Sequence, residues 1–331
     1  MRKWILPEHV EDVLPPEAER VEALRRVLLD RFRAAGYRLV QPPLVEHLDS
    51  LLTGTGRDLD LQTFKVVDPL SGRLLGVRAD ITPQVARIDA HLLNESGTTR
   101  LCYAGSVLRT VPTGLGATRE VMQIGAELYG EPGIEGDREV LSLALSALAA
   151  AGLSDLHLDL GHVGVYRALA AGSGVGANGE DAELFAAVST KDLPAVTTLT
   201  ARLPAAWRDA LTALPGLYGP AAEVLAHARD RLPDTPAIRN ALAALAAVAE
   251  TARPQVAALH IDLADLTGYH YQNGVIFSAF TAGEARAIGN GGRYDGIGKA
   301  FGRARPATGF TLDLRQLAGV LARTQAAPQS T

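Results

Sequence analysis

Apolar Val21, Leu24, Leu28 and Phe32 recur at helical spacing within residues 15–36, which predicts an amphipathic helix with one face against a core. Pro15 and Pro16 suit its first turn, Glu17 and Glu19 sit at its positive end, and Gly36 can terminate it. The period then changes. Residues 37–40 read as a short strand broken by Pro42 and Pro43. TFKVVD and SGRLLGVRAD form a hairpin pattern whose turn is supplied by Pro69, Ser71 and Gly72. Pro83 opens a helix over 83–94. RLCYAGSVLR and EVMQIGAELYG read as two antiparallel strands, joined by a loop at 110–119 that carries Pro112, Gly114 and Gly116. Residues 137–151 are an Ala/Leu-rich helix, and DLHLDLGHV alternates like a strand.

Over 170–254 the composition shifts to Ala, Leu and other helix formers, punctuated by Pro194, Pro204, Pro215, Pro220, Pro233 and Pro236. That predicts a string of short helices, an insertion in the main domain, without a repeat of fixed period. Strand patterns resume at ALHIDL and GVIFSAF, followed by NGGRYDGIG and by ATGFTLDLRQLAGVL, a strand running into a helix. Residues 323–331 read as a flexible polar tail. Strands joined by hairpins with helices outside them predict an α+β fold built on an antiparallel sheet. A parallel dinucleotide-binding sheet is disfavoured, because no G-x-G-x-x-G sits between a strand and a helix and no phosphate-binding P-loop pattern occurs.

Composition narrows the function classes. With 331 residues, 47% hydrophobic and 21% charged, the chain falls in the ordinary globular class. A net charge of −5 argues against gripping nucleic acid as its main task. Cys102 stands alone, so no internal disulfide is expected, and its strand setting predicts a small buried residue. The first ten residues lack the apolar run of a secretory signal, and no apolar stretch of about 20 residues exists to span a bilayer, so a cytoplasmic setting is expected. His162 and His270 lack paired ligand spacing, so no metal site is expected.

The ordered segments carry more information than any one of them. GYRLVQPPLVE (36–46), GVRADITPQVAR (76–87), LRT followed by TREVMQIGAELYG (within 108–130), TGYHYQNGVIF (267–277), GGRYDG (291–296) and ATGFTLDLRQL (307–317) succeed one another along the chain. Together they resemble the catalytic domain of class II aminoacyl-tRNA synthetases, specifically the histidyl branch, over roughly residues 1–320. The resemblance implies one synthetase-like domain at 1–322, with the insertion at 170–254 inside it. It also implies dimer contact through the first segment, with Pro43 in the proline position. Carried over residue by residue, it implies a histidine pocket made of Asp80, Thr82, Arg109, Gln123, Glu127 and Tyr271. Asp80 stands where the family has a glutamate, one methylene longer, that holds the substrate ammonium. Gln123 and Glu127 are four apart, so on a strand they share a face. A carboxylate there suits an imidazole, since it accepts an N–H and favours the charged ring.

Read locally, the same residues have plainer explanations. Asp80 and Thr82 can form an Asx-type turn ahead of Pro83. Arg109 can be a salt bridge under the sheet, Gln123 and Glu127 can be solvent-facing strand positions, and GGRYDG can be a glycine turn with an exposed arginine.

The departures from the family matter as much. The glutamate expected two residues after Arg109 is Val111, and the arginine expected in the last segment falls on Gln316, with Arg315 one residue earlier. The arginine of the first histidine-specific segment aligns with Thr267, and the second tyrosine of its pair is Gln272. Adenylate formation rests on positioning and cationic clamps, and losing one such donor costs about 10²–10³-fold in rate. The resemblance therefore implies a chain that is not an enzyme and needs no cofactor. WILPEHVEDVLPPEA, RADITPQVARI, RLCYAG and ATGFTLDL are similar to one group of synthetase paralogues, the regulatory subunits of ATP phosphoribosyltransferase in histidine biosynthesis. That likeness implies a hetero-oligomer with the short-form catalytic subunit, which the regulatory chain activates and makes sensitive to histidine, around a homodimeric core. It implies no tRNA partner, and the chain is expected to lack an anticodon-binding domain. The alternative is a truncated histidyl-tRNA synthetase that activates histidine with ATP.

Overall fold

The helix Glu17–Ala34 forms where the apolar spacing places it, burying Val21, Leu24, Leu28, Leu29 and Phe32. Acidic residues in its first turn and Arg31 and Arg33 in its last complement the helix dipole. The structure is a computed structural model that describes residues 4–114, 116–175, 181–269 and 271–326. Among those residues the strands in chain order are β1 (Arg38–Leu39), β2 (Val45–His47), β3 (Phe64–Val67), β4 (Leu74–Val77), β5 (Thr99–Leu108) and β6 (Glu120–Tyr129). They continue with β7 (Leu156–His162), β8 (Tyr218–Pro220), β9 (Ala258–Asp262), β10 (Val275–Thr281), β11 (Gly289–Arg293) and β12 (Ala307–Asp313).

Nine strands make one sheet in the order β1-β5-β6-β12-β11-β10-β7-β9-β8, while β2-β4-β3 form a small antiparallel sheet beside it. The large sheet is antiparallel except at β1–β5 and β7–β9. The α+β class therefore holds, with a parallel pair added near each end. Parallel neighbours need a long crossover, and both pairs have one. The β7–β9 connection runs through the helices that follow β7, including Pro236–Ala252.

Period-two alternation gives the sheet two different faces. On one, Ile124, Ala126 and Leu128 of β6 and Cys102 of β5 join the large core beneath the helices Glu17–Ala34, Ile134–Ala150 and Leu314–Ala326. There Phe32 meets Phe310 edge-on at 5.6 Å. On the other, Leu101 and Tyr103 of β5 and Val121 and Tyr129 of β6 cluster with Ile81, Val85, Tyr294 and Ile297. Gln123 and Glu127 belong to this second face by alternation.

The segment expected to be an insertion contains the helices Asp181–Ser189, Leu193–Thr200, Ala205–Ala213, Ala221–Arg231 and Pro236–Ala252. Their buried Leu184, Leu211, Val224 and Leu245 merge with the large core. The last helix reaches Ala326, into the stretch expected as a tail, and residues 327–331 lie outside the described residues. Among the described residues no helix is long and apolar enough to cross a membrane.

Candidate functional site

The site is built on the turn that leads from β4 into the helix Thr82–Arg87. Arg78 is 6% exposed and clamps that turn to its neighbours, donating Nε to Ser106 O at 2.8 Å and Nη1 to Pro42 O at 2.7 Å. The Ile81 amide donates to Gln123 Oε1 at 3.0 Å, which ties the turn to β6. The Thr82 amide donates to Asp80 Oδ1 at 3.3 Å, the local turn that the sequence allowed. Asp80 keeps its other oxygen uncommitted among the described contacts.

Glu127 lies beneath this turn, 1% exposed. The Thr82 and Tyr103 hydroxyls lie 3.0 Å and 3.2 Å from its Oε1, and the Tyr294 hydroxyl bonds its Oε2. Burial pushes the carboxyl up from its ordinary 4.5 to about 8, and the hydroxyls of Tyr294, Thr82 and Tyr103 pull against that rise. Two glycines make the room. A Cβ at Gly309 would run into the Glu127 carboxylate, and one at Gly125 into the Tyr103 hydroxyl.

A cavity of about 640 Å³ opens above the turn, lined by Asp80, Thr82, Arg109 and Tyr271, with Lys191 and Asp262 on its far wall. A second, of about 370 Å³, adjoins it and is bordered by Arg109, Gln123, Arg286, Thr311 and Gln316. Arg109 stands between the two, with Nε donating to Ala79 O and Nη1 to Thr113 Oγ1, each at 3.3 Å. Thr311 Oγ1 is buried without a hydrogen-bond partner among the described residues. Arg315 leaves this region and pairs with Glu11 at 2.8 Å.

The structure thus brings Asp80, Thr82, Arg109 and Tyr271 to one cavity. Gln123 borders the neighbouring one. Glu127 sits behind Thr82 and lines neither. It is not a solvent-facing strand position, nor is Gln123, which is 2% exposed. Arg109 holds no salt bridge among the described residues. The exposed-arginine reading of GGRYDG is corrected: Arg293 is 7% exposed. Its guanidinium meets Asp137 at 3.0 Å and Asp295 at 3.2 Å and donates to the carbonyls of Glu131 and Gly133. Sequence reasoning also missed Tyr103 and Tyr294, the two phenols around Glu127, although both lie inside quoted segments. Arg286 was missed because it belongs to no family segment.

Other candidates have structural work. His162 Nδ1 accepts from the Gly164 amide at 3.1 Å and caps the helix Val163–Ser173. Burial lowers its pKa to about 4, so the ring is neutral near pH 7. His270 lies outside the described residues, and among the described ones no group of three or more ligating side chains could hold a metal ion. Cys102 is buried, which pushes its thiol up to about 11. Gln272 is 7% exposed, and its Oε1 finds no partner among the described residues.

Residues 9–317 match the histidyl-tRNA synthetase family. A protein of Ralstonia nicotianae named ATP phosphoribosyltransferase regulatory subunit is 61% identical over 320 residues, covering 97% of this chain and 82% of that one. Its namesake in Thiobacillus denitrificans is 59% identical over 317 residues, covering 96% and 98% of the two chains. A solved structure from Bacillus halodurans, described as an ATP phosphoribosyltransferase regulatory subunit/histidyl-tRNA synthetase, superimposes with a TM-score of 0.85 at 27% identity over 96% of this chain and 83% of that one. A histidine–tRNA ligase subunit from Alicyclobacillus acidocaldarius gives a TM-score of 0.77 at 25% identity over 97% and 98%.

Proposed function

The chain belongs to the histidyl-tRNA synthetase-like family of ATP phosphoribosyltransferase regulatory subunits, and on that premise we propose that it serves histidine biosynthesis as a cytoplasmic, non-catalytic subunit. Its partner is the short-form catalytic ATP phosphoribosyltransferase, which it activates and subjects to control by histidine. The single observation that carries the reading is the 61% identity with a named regulatory subunit across 97% of the chain. The site supports it: a built amino-acid cavity persists, while Val111, Thr267 and Gln316 offer no charge for handling ATP.

Histidine is the ligand we assign to the 640 Å³ cavity. Asp80 offers a carboxylate to the ammonium, Arg109 a guanidinium to the carboxylate, and Tyr271 its ring and hydroxyl to the imidazole. Glu127 acts from behind, holding the Thr82 hydroxyl in place. Leu39, Leu44 and Val45 are 44%, 50% and 44% exposed, an uncovered apolar face on the first family segment that supports a homodimeric core. The net charge of −5 supports the absence of tRNA from its partners.

The test is reconstitution. Mixed with the short-form catalytic chain, this protein should raise phosphoribosyl transfer, and histidine should suppress it; calorimetry should show histidine bound by the regulatory chain. Failure to activate overturns the proposal. One observation favours a second reading: Arg109 and Arg286 both border the 370 Å³ cavity, which could hold a phosphate chain. Histidine-dependent exchange of pyrophosphate into ATP by the isolated protein would establish it.

A further inference from the structure

Away from the central site, a cavity of about 530 Å³ opens between Lys191, the turn Leu214–Gly216 and the helix Ala221–Arg231. Leu193, Ala213, Pro215, Leu217 and Tyr218 give it an apolar lining, and among the described residues Lys191, His227 and Arg231 are the basic side chains on it. Among the described residues no carboxylate lines it. That is notable in a chain with 37 acidic against 32 basic residues, and both central cavities include aspartates. Leu193 and Tyr218 are 48% and 60% exposed, large apolar side chains left uncovered next to one another's cavity wall. His227 and Arg231 lie four apart on one helix, hence on one face, and neither has an ion pair among the described residues. An apolar floor with a one-signed rim is a surface shaped for a partner of opposite charge.

Lys191 connects this surface to the ligand cavity, for it lines both. Its Nζ donates to Asp262 Oδ2 at 2.7 Å and lies 3.9 Å from the centre of the Tyr218 ring. Asp262 and Tyr218 are paired across β8 and β9, so the three form one compact unit. The Lys191 backbone is held in a tight turn at φ 55°, with its amide bonded to Val188 O at 3.0 Å. The side chain is therefore the part free to change partners. A carboxylate arriving from outside competes with Asp262 for the one ammonium.

We propose that this cavity docks an acidic, apolar segment of the catalytic partner, with carboxylates on the Lys191–His227–Arg231 rim and an apolar side chain on the Leu193–Tyr218 floor. Lys191 then links docking to occupancy of the ligand cavity, because its pairing with Asp262 changes as the segment binds. Coupling of this kind is reciprocal, so a ligand that alters Asp262 alters docking equally. The inference rests on the function proposed above for the identity of the partner.

The experiment mixes the full chain with the short-form catalytic subunit and compares wild type with the double variant H227E/R231E. Both side chains are exposed, so the thermal transition of the isolated chain should hold. The variant should bind the partner about tenfold or more weakly, as charge reversal at a rim predicts, and half-activation should need correspondingly more protein. Histidine affinity of the isolated chain should stay within about twofold of wild type, since neither residue lines its cavity. Rising salt should weaken the wild-type complex and spare the variant's. At histidine concentrations that saturate each protein, Lys191→Met should reduce the effect of histidine on complex affinity. A double variant that binds like wild type, with the same salt dependence, overturns the docking site. An undiminished histidine effect in Lys191→Met overturns the coupling. Failure of wild type itself to bind or activate overturns the proposed function instead.

Discussion

Glu127→Gln isolates the energetic cost of keeping a carboxyl under the ligand turn. The buried group has its pKa raised from 4.5 to about 8, so between those values the native state retains a proton that the unfolded chain has released. The unfolded state then binds fewer protons, and stability falls as pH rises through this interval. At about pH 6.5 the penalty is about 3 kcal/mol, because the unfolded carboxyl is two units past its pKa while the native one is still protonated. At about pH 8.5 the unfolded carboxyl is fully ionised and the native one mostly so, and the penalty reaches about 5 kcal/mol. Wild type should therefore lose about 2 kcal/mol across that window relative to Glu127→Gln, which carries no titrating group there. His162 does not interfere: with its pKa lowered to about 4, its contribution grows as pH rises from about 4 and levels off only above its ordinary 6.5, but it is the same in both proteins. Urea denaturation of both proteins at the two pH values reads the difference, and other groups cancel between them. Parallel pH profiles for wild type and variant would refute the account of Glu127 as a desolvated, largely protonated acid.

Three further outcomes are expected. Asp80→Ala should weaken histidine binding by about 10–100-fold in calorimetry, the size of one charge-assisted hydrogen bond, and should barely move the thermal transition, because among the described residues the only bond to its side chain is from Thr82 N at 3.3 Å. Arg293→Met should destabilise the fold by about 3–5 kcal/mol in urea, because it leaves Asp137 buried without its cation. Gly309→Ala should cost about 1–3 kcal/mol by crowding the Glu127 carboxylate and the Ala126 carbonyl, and the same calorimetry should show weakened histidine binding as Thr82 loses its anchor.

Local order was largely readable before the structure. The spacing of Val21, Leu24, Leu28 and Phe32 marks the first helix, and alternation in EVMQIGAELYG sets Gln123 and Glu127 on one face with Ile124 and Ala126 on the other. What stayed hidden depends on residues brought together from far along the chain. Strand register sets Leu101 opposite Glu127 and Tyr103 opposite Gly125, which delivers one phenol to the carboxylate. Tyr294 delivers the other from 167 residues away. No periodicity records either meeting. Arg293 looked exposed because glycines surround it, yet its counter-ion Asp137 lies 156 residues earlier. The parallel pairs β1–β5 and β7–β9 were unreadable for the same reason, since hairpin signals describe only neighbours in the chain.

The large sheet ends in strands of two and three residues, the second closing on Pro220. Long bare margins invite foreign strands to add on, and proline withholds the amide such addition requires. At both ends of this sheet the least selective means of gripping the protein is thus blunted. A partner arriving there meets side chains before it meets a bare backbone edge, so contact at these margins can be tuned one residue at a time.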